Sequence, residues 1–441
     1  MRPPPAGKRE WALTHRRSRQ AARLGRAAVL AVGLAGCGSP TATPSAQPSQ
    51  APSASATPTL GPTTTPSPTP VPTVRPTPTP TPPPRRTPAP KFVATGSMHV
   101  PRFGASATLL ANGKVLIAGG YADDDNVLAS AELYDPSTGK FTMTGSMITA
   151  RGGPIATLLR DGRVLIAGGA GCRDVKTCAS HDLNQLPSAE IYNPNTGKFS
   201  PTGSMSFGRG GGNATLLRDG RVLLAADSVD GLSAELYNPD SGKFTDTGSV
   251  MGYYYSATAT LLPNGKVLIA GDLGRPAAEL FDPATGKFAP ITYTLPPGAA
   301  ASAKRDGSSL APQTATLLKD GRVLLSGPDY LETYTPATGA FAPASFASPS
   351  GPWYNPTATL LNDGDVLYAG GSVVPQNPDL WIPAVASAGL YDPVSGFQFI
   401  SSMHAARYNQ TATLLPNGSV LIAGGKDIDG DALSSAELFV P

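Results

Sequence analysis

An apolar block, a polar turn and a second apolar block recur seven times: ATLLANGKVLIAGG (107–120), ATLLRDGRVLIAGG (156–169), ATLLRDGRVLLAAD (214–227), ATLLPNGKVLIAGD (259–272), ATLLKDGRVLLSGP (315–328), ATLLNDGDVLYAGG (358–371) and ATLLPNGSVLIAGG (412–425). The starts lie 43 to 58 residues apart, the period of propeller blades and solenoid repeats. Each copy predicts a β-hairpin on a two-residue Asn-Gly or Asp-Gly turn of type I′, which those residues favour because they tolerate positive φ. The runs ATLL and VLIA are continuously apolar, not alternating, so both faces of each strand are expected to be covered.

A second hairpin follows each first one: AELYDPSTGKF (131–141), AEIYNPNTGKF (189–199), AELYNPDSGKF (234–244), AELFDPATGKF (278–288), LETYTPATGAF (331–341) and, more loosely, AGLYDPVSGFQF (388–399). Asp-Pro or Asn-Pro opens the turn and Gly closes it. Two hairpins give four strands per repeat, and such repeats stack radially into an all-β, seven-bladed β-propeller. The last repeat stops after Ala436-Glu437-Leu438-Phe439-Val440-Pro441, one strand short, while Lys91–Met98 matches Lys140–Met147. The N-terminal segment is therefore expected to pair into the last blade, close the ring and remove its open edge.

These residues make the chain resemble the kelch-repeat β-propellers over 91–441. The carrying features are the Gly-Gly after the second strand (Gly119-Gly120, Gly168-Gly169, Gly370-Gly371, Gly424-Gly425), the third-strand Tyr (Tyr134, Tyr192, Tyr237, Tyr334, Tyr391) and the fourth-strand aromatic. The kelch Trp is Phe here (Phe141, Phe199, Phe244, Phe288, Phe341), and the Gly-Gly decays to Ala226-Asp227, Gly271-Asp272 and Gly327-Pro328. Blade 6 has Gln398 at the aromatic position and Phe399 one place late, which predicts a bulge. Kelch propellers host enzymes and binding modules alike, so the resemblance implies the fold and not the activity.

Ahead of the repeats, residues 1–36 carry a long basic stretch and a short apolar run, Ala27–Ala35, too short to span a bilayer. Leu34-Ala35-Gly36-Cys37 resembles a bacterial lipobox. That resemblance implies lipidation of Cys37 and an extracytoplasmic domain anchored to the cell membrane but not spanning it. Removing 1–36 takes away eight Lys/Arg and one Glu, so the net charge falls from +3 to −4. No clustered basic face remains to argue for nucleic acid. Residues 37–90 comprise Cys37 and a Pro/Thr/Ser-rich segment that cannot build a core; extended as polyproline II, it reaches about 160 Å.

Within the propeller, the loops between strands 1 and 2 and between strands 3 and 4 are short and uniform. Those between strands 2 and 3, and the crossings between blades, vary in length and lie on the opposite face, where a binding site is expected. Cys172 and Cys178 are expected to form a disulfide in an exported protein. Arg102, Arg151, Arg209 and Arg407 recur at matching crossing positions. They either clamp an anionic ligand or pair with Glu132, Glu190, Glu235 and Glu437 to stitch the blades. Tyr253, Tyr254, Trp353, Tyr354 and Trp381 offer aromatic contact surface. His99 and His404 sit at equivalent crossing positions. Asp123–Asn126 and Asp427–Asp431 have oxygen donors that suit Ca²⁺; the second has the Asp-x-Asp-Gly-Asp look of a calcium loop but lacks the downstream bidentate Glu, and both read as solvated loops.

No cofactor, catalytic set or metal motif is expected. The copper constellation of the galactose-oxidase-like kelch enzymes is not matched, since only His99, His181 and His404 follow the signal. The expectation is a monomeric, non-catalytic, surface-displayed module that binds a glycan or a surface protein. The alternative is a carbohydrate-acting kelch enzyme, similar to a sialic-acid epimerase or a galactose oxidase.

Overall fold

The structure is a computed structural model. It describes residues 89–124, 126–171, 184–226, 232–251, 257–271, 278–291, 312–344, 353–373 and 384–441. The signal segment, Cys37 and most of the Pro/Thr/Ser-rich stretch lie outside the described residues, as do Cys172, Cys178, His181, Tyr253, Tyr254 and Trp381.

Blade 1 sets the template: β2 (Ser106–Leu109), β3 (Val115–Ala118), β4 (Ala131–Asp135) and β5 (Lys140–Met143) pair antiparallel in that order. Six further four-stranded sheets repeat it among the described residues. The second strand of every blade is buried along its whole length. The uninterrupted VLIA pattern thus records a strand covered on both faces by adjacent blades. Burying one Leu or Ile contributes about 1.5–3 kcal/mol, so the core is spread between the blades and not gathered in one centre.

The first hairpin differs from expectation. The Leu110 N–H donates to Lys114 O at 2.8 Å and the Gly113 N–H to Leu110 O at 2.9 Å. Gly113 has φ 80° while Asn112 is not among the positive-φ residues. This is a three-residue loop, a type I turn closed by a glycine in the left-handed region, and not a two-residue type I′ turn. Asn112 instead accepts the Lys114 N–H through Oδ1 at 3.1 Å. The expected bulge in blade 6 is also absent. Tyr391 faces Phe397 in regular register, as Tyr134 faces Phe141. The turn is one residue shorter, and Phe397 is the aligned aromatic.

The ring closes through two sets of contacts. Each inner strand lies beside those of both adjacent blades, so Thr411–Leu414 of blade 7 abuts β2 of blade 1. On the outside, β1 (Lys91–Ala94) pairs antiparallel with Ala436–Val440, with Lys91 opposite Val440 and Ala94 opposite Glu437. The outer edges are also tied from blade to blade. Hydrogen bonds of 2.9 Å join Thr95 Oγ1 to the Tyr134 hydroxyl, Thr144 to Tyr192 and Thr202 to Tyr237. Each of these threonines also donates to the glycine carbonyl of the adjacent turn, and in blade 4, where Phe281 replaces Tyr, Thr247 keeps that bond to Gly286 O.

Candidate functional site on the loop face

The four recurring arginines sit where the crossings meet the corners between strands 2 and 3, and each is 0–1% exposed. Arg151 shows the arrangement. Its backbone belongs to blade 1: the Arg151 N–H donates to Leu128 O at 3.1 Å, and the Gly120 N–H donates to Arg151 O at 2.8 Å. Its guanidinium belongs to blade 2. Nη1 donates to Gly168 O and Ser188 O at 2.9 and 2.8 Å. Nη2 donates to Ser188 Oγ at 2.9 Å and Glu190 Oε1 at 3.1 Å. Glu190 in turn accepts the Ile148 and Thr149 N–H groups at 2.7 and 3.0 Å.

The same set is built around Arg102–Glu132, Arg209–Glu235 and Arg407–Glu437, with N···O separations of 3.1, 3.3 and 3.0 Å. Burial lowers the arginine pKa values at 102, 151 and 407, opposed by the facing glutamate. At Glu132 and Glu437 burial pushes the carboxyl up. Donation from His99 and Val100, or from His404 and Ala405, together with the paired arginine, outweighs it and holds both carboxyls below the usual range. The arginines join consecutive blades, and their guanidinium groups do not face a ligand on the loop face. Of the two expectations, this geometry corresponds to the stitching one.

Trp353 also departs from the aromatic recognition surface expected of it. It is 4% exposed and occupies the arginine's place in blade 6. Its Nε1–H donates to Gly370 O at 2.6 Å, the carbonyl equivalent to Gly168 O. The glutamate position is Gly389, and a Cβ there would lie 2.2 Å from Phe397 Cζ. Trp353, Tyr368, Phe397 and Phe399 fill the joint instead, with Trp353 stacked on Phe399 at 5.8 Å.

Each histidine is tied to a glutamate of its own blade. His99 Nδ1 lies 2.9 Å from Glu132 Oε2, and His404 Nδ1 lies 2.8 Å from Glu437 Oε2. Their side chains are 55% and 62% exposed, so each imidazole is fixed at one nitrogen by a buried carboxylate and presents the other edge outward. The acidic loops fold on themselves: Asp123 Oδ1 accepts the Asn126 N–H, and Asp427 Oδ1 accepts the Asp429 and Asp431 N–H groups. Among the described residues, no three His, Cys, Asp or Glu side chains are grouped to hold a metal.

A feature of the loop face not foreseen from sequence lies one residue beyond the stitching arginine. Phe103 and Tyr121 stack at 5.1 Å with 16° between their planes. Lys426 Nζ stands 4.1 Å over the Phe103 ring and pairs with Asp124. Burial pushes the Tyr121 phenol up. Gly152 leaves the space for Tyr121, since a Cβ there would meet Cζ at 2.1 Å. The Gly104 N–H donates to Asn409 O and the Gly153 N–H to Gly104 O, both at 2.9 Å, so three successive crossings join. Tyr408 and Tyr354 follow Arg407 and Trp353 as Phe103 follows Arg102, and both are half-buried. The sequence signal is the residue immediately after each crossing anchor: Phe103, Gly152, Gly210, Tyr354 and Tyr408.

The kelch motif matches residues 102–148, from one stitching arginine almost to the next. The described residues form a seven-bladed β-propeller that carries a kelch motif. Two solved structures are similar to this propeller in fold. A copper-bound fungal alcohol oxidase of the AA5 family is 14% identical with a TM-score of 0.57, covering 80% of this chain and 76% of its own. YjhT is 14% identical with a TM-score of 0.50, covering 78% of this chain and 96% of its own. At such identities the likeness extends to the fold alone. No curated protein matches the chain in sequence.

Proposed function

We propose that this kelch propeller is a lipid-anchored, extracytoplasmic, monomeric binding module that engages a glycan or a surface protein through its loop face. Cys37 is the lipidated residue, and 38–90 serve as the spacer between membrane and propeller. The observation that carries the reading is what remains on the loop face once the arginines are sequestered. Tyr121, Tyr354 and Tyr408, each half-buried, are contributed by the crossings and loops of blades 6, 7 and 1. Aromatic side chains with a polar tip suit sugar stacking and protein hot spots. The buried arginines are unsuited to charge-assisted recognition of an anionic sugar.

A second reading, a carbohydrate-acting enzyme, rests on His99 and His404. An imidazole fixed through Nδ1 by a buried carboxylate is an arrangement used for proton transfer. The experiment is a glycan and surface-protein binding screen of the full chain with product analysis on every hit. Tyr354→Ala with Tyr408→Ala is compared with His99→Ala with His404→Ala. The binding reading expects the tyrosine pair to weaken capture at least tenfold, with no product from any hit. Turnover of a sugar, abolished by the histidine pair in a folded protein, overturns it.

A further inference from the structure

The face opposite the loops, made of the uniform turns, carries a charge pattern that neither the repeat nor the loop-face reading requires. In blades 2, 3 and 5 the first turn reads Arg160-Asp161-Gly162-Arg163, Arg218-Asp219-Gly220-Arg221 and Lys319-Asp320-Gly321-Arg322. Each Asp is taken by the second cation of its own turn, at 2.6, 2.6 and 2.7 Å. The first cation has no carboxylate partner among the described residues. It reaches across to the next blade instead: Arg160 donates to Arg218 O, Arg218 to Pro263 O and Lys319 to Asn362 O. All three are exposed. Their stems are steadied by the adjacent turn, and further N–H groups remain for a ligand.

The outer hairpins of the same sector add exposed Lys198, Lys243 and Lys287. Across the turns of blades 2 to 5, ten Lys/Arg stand against five Asp. Blade 6 reverses the sign, with Asp363, Asp365 and Asp392 and no cation in its turns. A cleft of about 410 Å³ lies in this sector between blades 2 and 3, its walls carrying Arg160 and Arg221 together with Asp161, Asp219 and Asp240.

We propose that this arc is a docking surface for a linear phosphate-bearing polymer, read by its charge. The arc's shape favours a strand over a sheet of charge. A planar anionic bilayer laid on this face meets the carboxylates of blade 6 together with the cations, whereas a strand tracks blades 2 to 5 and avoids them. Guanidinium groups at two of the three inner positions match the paired non-bridging oxygens of a phosphodiester. Among the described residues no aromatic side chain stands in these turns to stack on a base, so recognition is of backbone charge and not of sequence.

The test titrates the full chain into fluorescently labelled inorganic polyphosphate across a salt series. Arg160→Gln, Arg218→Gln and Lys319→Gln, combined, are compared with Lys91→Gln, Lys114→Gln and Lys140→Gln, which remove the same charge from blades 7 and 1 on the same face. The arc triple is expected to weaken binding at least tenfold and to lower the salt slope by about 2, since each neutralised phosphate contributes about 0.7 for a single strand. The control is expected to change affinity less than threefold. A second arc variant, Lys198→Gln, Lys243→Gln and Lys287→Gln, touches no contact between blades and weakens binding even if the first triple unfolds. Equal loss in arc and control variants, no loss in either, equally tight capture of anionic phospholipid vesicles, or equally tight binding of polygalacturonate overturns the proposal.

Discussion

Blades 2 and 6 solve one joint with opposite chemistry. Both must satisfy the carbonyl left at the end of the second strand, Gly168 O in one and Gly370 O in the other, where the incoming crossing presses against the corner. Blade 2 uses a guanidinium that serves two carbonyls, a serine hydroxyl and Glu190. Blade 6 uses one indole N–H for the carbonyl and fills the remaining space with rings. The carbonyl demands a donor, because a buried unpaired acceptor costs about 1–3 kcal/mol. The ion pair is one way to bring that donor along and not a requirement of the fold. Having adopted the indole, blade 6 must also lose the glutamate, since Phe397 occupies the space above Gly389.

The largest effect that tests this contrast is Arg151→Ala. It leaves Glu190 buried without its cation and strips two carbonyls of their donor, and should destabilise by about 3–5 kcal/mol; chemical denaturation measures it. A loss under 1 kcal/mol, on the order of an exposed pair, would mean that the joint is wetter than its burial indicates. Trp353→Phe is milder. It keeps an aromatic ring but removes the N–H from Gly370 O, for an expected loss of about 1–3 kcal/mol. If the variant matches the parent, shape and not the hydrogen bond holds blade 6. The smallest effect is acid sensitivity. Glu132 and Glu437 have folded pKa values below their ordinary 4.5. Their contribution is therefore complete above that value and is lost as pH falls through the lowered folded value. Thermal midpoints measured from pH 6 to pH 3 should fall for the parent, and fall less when Arg102→Met and Glu132→Leu replace one pair by apolar groups.

The sequence carried the architecture further than the site. Repetition made the four-strand unit legible, because each VLIA run faces the same double-sided burial in every blade. It misled on fine geometry where one residue decides. Gly113 alone takes the left-handed conformation, so the first turn is a bulged three-residue loop. A deletion of one residue in the Asp392–Gly396 turn, not a bulge, shifts Phe397 into line. For the site, matching Arg and Glu positions identified a pair but not its burial, which depends on how closely a crossing lies against the next blade. Trp353 stands at the same distance before its ATLL run as the arginines do before theirs, yet it read as an exposed aromatic because register alone does not show the carbonyl each serves. Phe103, Tyr121 and Lys426 went unnoticed because their meeting joins a crossing to loops of blades 1 and 7, more than 300 residues apart in sequence.

The pairing of Lys91 with Val440 has a consequence for ancestry. Two distant stretches of chain lie side by side in the last blade, so a peptide bridge there and a cut in any of the uniform turns would give a differently ordered chain with the same contacts. The ring has no structural first blade. Its starting point is a matter of gene history, and a lineage can move it, or duplicate one repeat beside it, without inventing a new joint.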